Sequence, residues 1–200
     1  MTVFRYDVLL AKQRPDAFIH LLSSEELNRA NIYRNHDFII SRGILRCILG
    51  KILEKDPKKI TISTNPWGKP CTPDLFFNLS HCDGRLILCA SKESDLGVDI
   101  EKVGPWEPEY EEMIFSRREK EFAATISAQE KIGYFFSVWT KKEAWLKGIG
   151  CGLSQDLRLM DTEEPESWYL FPLAVDPPYV ACLATQKEET HVIYNYSDHL

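Results

Sequence analysis

The chain has 200 residues, a length that fits one large domain or two small domains of about 100 residues each. Hydrophobic residues make up 44% of the sequence and aromatic residues 12%, so a packed core is expected and extensive disorder is excluded. The formal net charge of −6 at pH 7 argues against non-specific binding of duplex DNA, which depends on basic patches. We therefore expect no nucleic-acid partner, whereas a local basic pocket for one small polyanion stays compatible with this charge.

Cysteine spacing and hydropathy indicate the compartment. The six cysteines form no C-x-x-C pair, so neither a zinc ribbon nor a thioredoxin-like motif is indicated. The first residues resemble a strand with charges and not a signal peptide. No apolar run approaches the ~18 residues that a membrane span needs. We expect a reduced cytoplasmic protein with no membrane partner.

The first part of the sequence predicts one strand, two helices and then several short strands. Residues 2–10 alternate as a strand does, and a capping box that begins at Ser23 predicts a helix to about residue 34. Ile and Leu residues spaced four apart, from Ile44 to Leu53, predict a second helix that ends before Pro57. Short strands are predicted over residues 60–64, 76–80, 85–90 and 96–101, with a hairpin turn at Asp83-Gly84.

The second part repeats this order after a proline-rich linker at residues 104–108. A capping box at Ser116 and a helix over residues 129–147, ended by glycines, precede a tail of short β-type runs. Those runs cover residues 157–160, 168–171, 179–184 and 191–194. Helices followed by strands, twice, favour an α+β fold over a doubly wound parallel sheet.

The repeated order predicts a two-part architecture. We expect halves at residues 1–103 and 104–200, each with its helices packed on an antiparallel sheet. Strand 96–101 is expected near the centre of the molecule, and an active cleft between the halves of one chain.

Asp99 and Glu101 are the first candidate site residues. Residues two apart in a strand share a face, so both carboxylates point one way while Val98 and Ile100 point into the core. A shared divalent cation relieves the repulsion between the carboxylates, and ligation by oxygen alone suits Mg²⁺. On this strand alone, a solvated edge of an antiparallel sheet remains an open alternative.

A second set of candidates lies on the helix predicted over residues 129–147. Trp139, Glu143 and Lys147 are spaced four apart and share one face. A surface ion pair between Glu143 and Lys147 is the simple alternative and needs no function. The large aromatic residue on the same face and the glycines at the helix end favour a site, in which the carboxylate acts as base and the amine stabilises charge.

A third set of candidates precedes the acidic strand. Lys69, held between Gly68 and a proline, offers a positive charge on a fixed backbone that suits a phosphate. Ser80 and His81, at the end of a predicted strand, add a hydroxyl group and an imidazole. Each of them alone is more typical of a turn residue or a structural histidine than of a ligand.

Four segments in this order resemble the signature motifs of one family. They are Gly68-Lys-Pro, then Phe77-Asn-Leu-Ser-His, then Gly97-Val-Asp-Ile-Glu, and finally Trp139-Thr-Lys-Lys-Glu-Ala-Trp-Leu-Lys-Gly-Ile-Gly-Cys-Gly. The set is similar to that of the 4′-phosphopantetheinyl transferases of the surfactin-synthetase-activating type. The resemblance is close over residues 65–153 and loose over residues 30–50.

The resemblance implies a fold and a reaction. The fold is a pseudo-twofold monomer of two similar α/β halves, with coenzyme A and Mg²⁺ in the cleft between them. The reaction moves 4′-phosphopantetheine from coenzyme A to a serine of an acyl or peptidyl carrier protein and releases adenosine 3′,5′-bisphosphate.

The resemblance also implies roles for single residues. Asp99, Glu101 and Glu143 would hold the metal, Glu143 and Lys147 would be catalytic, and Lys147 would meet the reacting diphosphate. Lys69, Ser80 and His81 would meet the nucleotide and its 3′-phosphate. The family usually carries a basic cluster before the long helix, whereas this sequence has Asp37 where arginine is common. Arg34 and Arg42 are expected to compensate.

Two other classes of protein remain open on the residues alone. A metal-dependent phosphohydrolase would use the same carboxylates to activate water. A non-catalytic coenzyme A-binding protein would ordinarily have lost a metal carboxylate, and here all three are present. If the protein is a transferase, we expect its carrier to dock on the second half, at Arg117, Arg118 and Lys120 with Met113, Ile114 and Phe115 beside them.

Overall fold

The structure is a computed structural model that describes residues 1–9, 14–33, 36–152 and 154–196. Its strands are β1 (Thr2–Leu9), β2 (Ser63–Thr64), β3 (Pro70–Cys71), β4 (Phe76–Cys82), β5 (Arg85–Ser91), β6 (Leu96–Lys102), β7 (Tyr169–Leu173), β8 (Tyr179–Thr185) and β9 (His191–Tyr196). Its α-helices are α1 (Pro15–Phe18), α2 (Ser24–Tyr33), α3 (His36–Leu53), α4 (Glu109–Ile114), α5 (Arg117–Ala123) and α6 (Ala128–Ile149). In the described part of the chain, no helix combines the length and apolar character needed to cross a membrane.

Most strands belong to two sheets. The first sheet has the order β4-β5-β1-β9, and the second sheet has the order β6-β8-β7. All pairs within them are antiparallel except β1 and β9, which run parallel. Strands β2 and β3 form a separate small ribbon.

Helix α3 covers one face of the first sheet. Its residues Ile44, Ile48 and Leu49 pack in one core with Tyr6 of β1 and Leu88 of β5. The apolar stripe predicted from the sequence is therefore confirmed as the buried face of this helix.

The other face of the first sheet packs on the second sheet. Val3 and Ile87 come from the first sheet, and Val98, Ile100 and Leu183 come from the second. On the outer face of the second sheet, α6 packs through residues such as Leu146 against β8. The layers are thus α3, first sheet, second sheet and α6, and β6 lies between the first sheet and α6.

Local signals predicted several boundaries correctly. The side chain of Ser116 caps the backbone N–H of Glu119, and Glu119 returns the bond, which completes the predicted capping box. The predicted hairpin joins β4 to β5 through Asp83 (φ 44°) and Gly84 (φ 78°). Two residues with positive φ match the right-handed twist of the flanking strands.

Two predicted strands are wrong in whole or in part. Residues 157–160 contain a single 3₁₀ turn, Leu157–Leu159, because the Asp156 side chain accepts the Arg158 N–H and closes the chain locally. The run over residues 60–64 gives a strand only at Ser63–Thr64, since the Ile60 carbonyl accepts a hydrogen bond from Arg46 instead of a strand partner.

The expectation of purely antiparallel sheets is wrong for one pair, β1 with β9. Strand β9 lies in the tail of the chain and joins the first sheet, while β6 precedes the linker and joins the second. A strand arriving from another layer is not constrained to antiparallel pairing as a tight hairpin is. Strand pairing therefore crosses the predicted boundary at residue 103 in both directions.

Candidate active site

The site is built where α6 lies directly on β6. A Cβ atom added to Gly97 would lie 2.0 Å from the Ala144 carbonyl oxygen and 2.2 Å from the Gly148 nitrogen. A Cβ atom on Gly148 would in turn lie 2.4 Å from the ring of Trp168. Because neither position has room for a side chain, the helix backbone sits against the strand and brings its polar face onto β6.

The register of β6 separates its core residues from its site residues, as predicted. Asp99 pairs with Cys182 of β8, which packs in the core under α6, whereas Val98 and Ile100 pack between the two sheets. Asp99 is buried, and Glu101, at the same face, is half-buried. The same-face prediction for the two carboxylates is confirmed.

Lys147, Ser80 and Asp99 form one hydrogen-bonded group. The Ser80 hydroxyl donates to Asp99 Oδ1 at 2.7 Å, and Lys147 Nζ donates to Ser80 Oγ at 3.0 Å. Lys147 Nζ also makes a direct ion pair with Asp99 Oδ1. The side chain of Asp99 is 2% exposed and that of Lys147 is 30% exposed, so a buried carboxylate meets an ammonium group that reaches solvent.

Two carboxylate oxygens beside this group have no hydrogen-bond partner in the described part of the chain. They are Asp99 Oδ2 and Glu143 Oε1, and both are buried. Burial raises the pKa of Glu143; Lys147 lowers it, and the nearby Asp99 and Glu101 carboxylates raise it further. Burial and two neighbouring carboxylates thus disfavour the charged form of Glu143.

The donor set fits a hard divalent cation. Free buried carboxylate oxygens are the ligands that Mg²⁺ prefers, and a cation would satisfy the two that are left over. Glu101 is oriented by Trp139, whose Nε1 donates to Glu101 Oε1 at 3.2 Å. Among the described residues, no three His, Cys, Asp or Glu side chains are already gathered as a metal site. Lys147 instead engages Asp99.

Lys69 lies at the end of α6, on the other side of this group. Its ammonium group donates to the carbonyl oxygens of Gly148 (2.9 Å) and Leu96 (3.3 Å) and approaches Asp95 at 3.4 Å. A cation at a helix C-terminus is favoured by the helix dipole. These hydrogen bonds hold the turn that carries Lys69 against α6 and against the start of β6.

Asn65 completes that turn, and sequence reasoning did not single it out. Its Oδ1 accepts the backbone N–H groups of Trp67 and Lys69, and its Nδ2 donates to the Gly150 carbonyl oxygen at 2.7 Å. An Asn-Pro pair followed by Gly68 (φ 86°) indicates a turn, but nothing in it indicates that the turn docks on α6.

A cleft of about 260 Å³ lies between the turn that carries Lys69 and helix α6. Its walls include Trp67, Lys69, Asn78, Glu143 and Lys147. A turn with a cation and a helix with a carboxylate and an ammonium group therefore face one space, which can hold an anionic ligand beside a cation.

His81 and Arg42 lie on the α3 side of the first sheet. Successive residues of β4 face opposite sides, so Ser80 turns to Asp99 while His81 is exposed on the side of α3. Arg42 pairs with Glu26 at 3.5 Å and stacks over the Phe38 ring at 5.3 Å. Arg34 is outside the described residues. Among the cleft's described lining residues, the structure places neither His81 nor Arg42.

A fully buried ion pair joins α6 to the segments before and after it. Lys142 Nζ donates to Glu119 Oε2 (2.5 Å) and to the carbonyl oxygens of Ile114 (2.6 Å) and Leu157 (2.9 Å). Glu119 Oε1 accepts two bonds from Thr162. Burial lowers the pKa of Lys142, and Glu119 opposes that effect. In the sequence, the only signal at Glu119 is its place as the acidic residue of the capping box at Ser116.

The predicted docking patch has both charged and apolar parts. Arg117, Arg118 and Lys120 each pair with a surface carboxylate. Met113 is 69% exposed, whereas Ile114 and Phe115 are buried in the core. The two buried residues are therefore wrong as members of an accessible patch.

An apolar groove of about 730 Å³ lies beside that patch. Tyr110, Met113, Phe136 and Trp139 are among the residues that line it. Trp139 also donates to Glu101, so this groove and the acidic site share one side chain.

Comparison with known proteins shows the family of this chain. The model of the 4′-phosphopantetheinyl transferase superfamily matches residues 95–196, about half of the chain. That region contains Asp99, Glu101, Glu143 and Lys147. The chain belongs to the 4′-phosphopantetheinyl transferase superfamily, and it is a transferase.

Two relatives extend the similarity over most of the sequence. 4′-Phosphopantetheinyl transferase Sfp of Bacillus subtilis (strain 168) is 30% identical over 190 residues, which cover 85% of this chain and 84% of the relative. 4′-Phosphopantetheinyl transferase HetI of Nostoc sp. (strain PCC 7120 / SAG 25.82 / UTEX 2576) is 32% identical over 184 residues, with 82% and 78% covered.

Proposed function

We propose that this chain transfers 4′-phosphopantetheine from coenzyme A to a serine of an acyl or peptidyl carrier protein, in a Mg²⁺-dependent reaction that releases adenosine 3′,5′-bisphosphate. The observation that supports it most is a pair of buried oxygens, Asp99 Oδ2 and Glu143 Oε1, which have no hydrogen-bond partner among the described residues. Lys147 pairs with Asp99, and both Lys147 and Glu143 line the cleft. Family membership supplies the reaction class.

Asp99, Glu101 and Glu143 would hold the metal. The cation that they hold would supply positive charge to neutralise the diphosphate of coenzyme A. Trp139 orients Glu101 through its hydrogen bond, and Ser80 orients Asp99 in the same way. These two donors fix the carboxylates before any ligand arrives.

Glu143 is the proposed general base. The serine hydroxyl of the carrier would attack the phosphorus next to pantetheine, and its proton would pass to Glu143. The new O–P bond forms while the bond from that phosphorus to the bridging oxygen breaks, and adenosine 3′,5′-bisphosphate leaves. A carboxylate with a raised pKa is the stronger base, provided that it stays ionised at the working pH.

Lys147 is proposed to stabilise the leaving group. Negative charge develops on the bridging oxygen as the diphosphate bond breaks, and an ammonium group at the cleft wall stabilises that charge more than it stabilises the ground state. The exposed fraction of Lys147, 30%, leaves its side chain free to reach into the cleft.

The remaining contacts to the nucleotide are proposals of unequal support. Lys69 and Ser80 border the cleft or its acidic wall, which supports a role close to the ligand. His81, Arg34 and Arg42 are proposed to meet the nucleotide only through the family resemblance. The side chains of His81 and Arg42 would approach it from the α3 side of the molecule.

The molecule is proposed to act as a cytoplasmic monomer with its cleft between two similar halves, 1–103 and 104–200, related by a pseudo-twofold axis. The position of the cleft, between the turn at Lys69 and helix α6, supports a site that a single chain completes. Sedimentation during turnover tests this, because activity found only in an oligomer would refute it.

The carrier is proposed to dock in the apolar groove beside the acidic site. Exposed Met113 and Tyr110 offer an apolar contact, and Arg117 and Arg118 can exchange their weak surface pairs for acidic groups of a carrier. Met113→Glu, or Arg117→Glu with Arg118→Glu, is expected to raise the KM for the carrier and leave the Kd for coenzyme A unchanged. An unchanged carrier KM in both variants would move the docking site elsewhere.

Mass spectrometry of apo-carrier proteins tests the proposed reaction. A panel of acyl and peptidyl carriers is incubated with coenzyme A, Mg²⁺ and the protein, and each accepted carrier should gain the mass of one phosphopantetheine. Glu143→Gln should lose the reaction, while Glu163→Gln, the same change at an exposed position on the surface, should keep it. Hydrolysis of coenzyme A without any carrier modification would favour a phosphohydrolase, and binding without either reaction would favour a non-catalytic coenzyme A-binding protein.

A further inference from the structure

The ammonium group of Lys147 is paired with Asp99, a carboxylate that the proposed function assigns to the metal. It contacts Asp99 Oδ1 directly and shares Ser80 with it, since Ser80 donates to that same oxygen. Asp99 is buried, and a buried carboxylate needs a compensating positive charge. In the structure, Lys147 supplies that charge.

An ammonium group and a divalent cation compete for this oxygen. Both are positive, and both would lie within a few ångströms of each other in a poorly solvated place, where like charges repel strongly. The unpartnered Asp99 Oδ2 and Glu143 Oε1 would attract a cation, but the engaged Oδ1 and the nearby ammonium group oppose it.

Of the two partners in this ion pair, Lys147 can move and Asp99 cannot. The Lys147 side chain is 30% exposed and stands on the wall of the cleft, so its flexible stem can turn the ammonium group towards a ligand there. Asp99 stays fixed on β6 by burial and by the Ser80 hydroxyl. A diphosphate in the cleft would give Lys147 new acceptors and release Asp99.

We propose that Lys147 holds the place of the divalent cation at Asp99 until the diphosphate of the donor draws it away, so that cation and diphosphate bind this chain cooperatively. This inference rests on the proposed function. Linkage makes the effect reciprocal: coenzyme A tightens cation binding by the same factor by which the cation tightens coenzyme A binding.

Binding of Mn²⁺, followed by the electron paramagnetic resonance signal of the free ion, tests the proposal without any turnover. The proteins compared are the wild type, Lys147→Met and Lys141→Met, each with and without coenzyme A. Lys141 is a matched control, because it lies on the same helix and pairs with Glu163 at the surface. Both variants therefore lose one positive charge of α6.

Without coenzyme A, Lys147→Met is expected to bind Mn²⁺ at least about tenfold more tightly than the wild type, the size of effect that one hydrogen bond to a charged group carries. Lys141→Met should bind as the wild type does. Coenzyme A should tighten Mn²⁺ binding by a much larger factor in the wild type than in Lys147→Met. Thermal unfolding gives a second readout, because Mn²⁺ alone should raise the Tm of Lys147→Met more than that of the wild type.

Equal Mn²⁺ affinity in the wild type and Lys147→Met would overturn this inference alone. The proposed function would still stand if carriers were modified in the presence of Mg²⁺. Transfer that proceeds unchanged in EDTA, with no Mn²⁺ bound by any of the proteins, would instead remove the metal from the proposed function and the inference with it.

Discussion

Glu143→Gln separates the proposed role of this residue from a merely structural one. A surface ion pair of Glu143 with Lys147 would contribute a few tenths of a kcal/mol to stability and nothing to the rate. The structure already weakens that alternative, since Lys147 pairs with Asp99 and Ser80, and the buried Glu143 Oε1 has no hydrogen-bond partner among the described residues. The substitution keeps the shape of the side chain and removes its charge.

Activity and stability are expected to respond in opposite directions. Loss of a general base typically lowers the rate by 10²–10⁴, which corresponds to about 2.7–5.4 kcal/mol in activation free energy. The charged form of Glu143 is disfavoured in the folded protein, chiefly by burial and also by Asp99 and Glu101. A neutral glutamine escapes this cost, so the free energy of unfolding should stay the same or rise at neutral pH.

The raised pKa of Glu143 determines how the stability difference between Glu143→Gln and the wild type changes with pH. The folded-state pKa of Glu143 lies above its ordinary value of 4.5, so the folded state binds the proton more tightly than the unfolded state does. The resulting stabilisation is fully present below pH 4.5 and is lost as the pH rises through the raised folded-state pKa. Glutamine has no such loss, so the advantage of Glu143→Gln over the wild type should grow across this window.

Single-turnover transfer at saturating coenzyme A and Mg²⁺ measures the rate, and urea unfolding in EDTA between pH 4 and pH 8 measures the stability. Near-wild-type transfer by Glu143→Gln would leave the mechanism without its base. A variant that is less stable at pH 8 than the wild type would refute the account of the buried carboxylate.

Three further substitutions test the contacts that hold the site together. Lys69→Ala is expected to weaken coenzyme A binding about ten- to a hundredfold by calorimetry, as the loss of a charge-assisted contact does; equal Kd values would leave Lys69 a turn residue. Gly97→Ala should lower the free energy of unfolding by about 1–3 kcal/mol or more, because its Cβ would overlap the α6 backbone, whereas Gly133→Ala, with open space, should raise it by up to about 1 kcal/mol in the same urea assay. Lys142→Met should cost about 3–5 kcal/mol by leaving Glu119 buried and unpaired, and adding Glu119→Gln should recover part of the loss; a strictly additive double variant would exclude the coupling.

The sequence predicted those parts of the fold whose cause is local. Alternation in β6 placed Asp99 on the face opposite to Val98 because the strand period is two residues. The capping box at Ser116 and the Asp83-Gly84 hairpin depend on bonds between residues at most three apart, and both were found. Spacing of four residues placed Glu143 and Lys147 on one face of a helix, which the cleft confirms.

Contacts between segments far apart in the chain could not be predicted from the sequence alone. The parallel pairing of β9 with β1 joins residues almost 190 positions apart, and no local pattern marks the partner of an edge strand. Lys142 and Glu119 look like surface residues in a charged segment, yet both are buried because three segments converge on them. Gly97 was recognised as part of a motif. The reason that a glycine is required there, the backbone of α6 packed against it, is visible only in the structure.

Trp139 connects the acidic site to the apolar groove, so that an occupant of the groove can affect the carboxylates. Its ring lines the apolar groove proposed for the carrier, and its Nε1 donates to Glu101, one of the proposed metal ligands. An indole that is packed by an occupant of the groove has fewer rotamers, so its hydrogen bond to Glu101 becomes better defined. Carrier docking would then sharpen the geometry of the carboxylates at the moment when the serine arrives. Glu143, the proposed base, lies one helical turn further along the same face of α6.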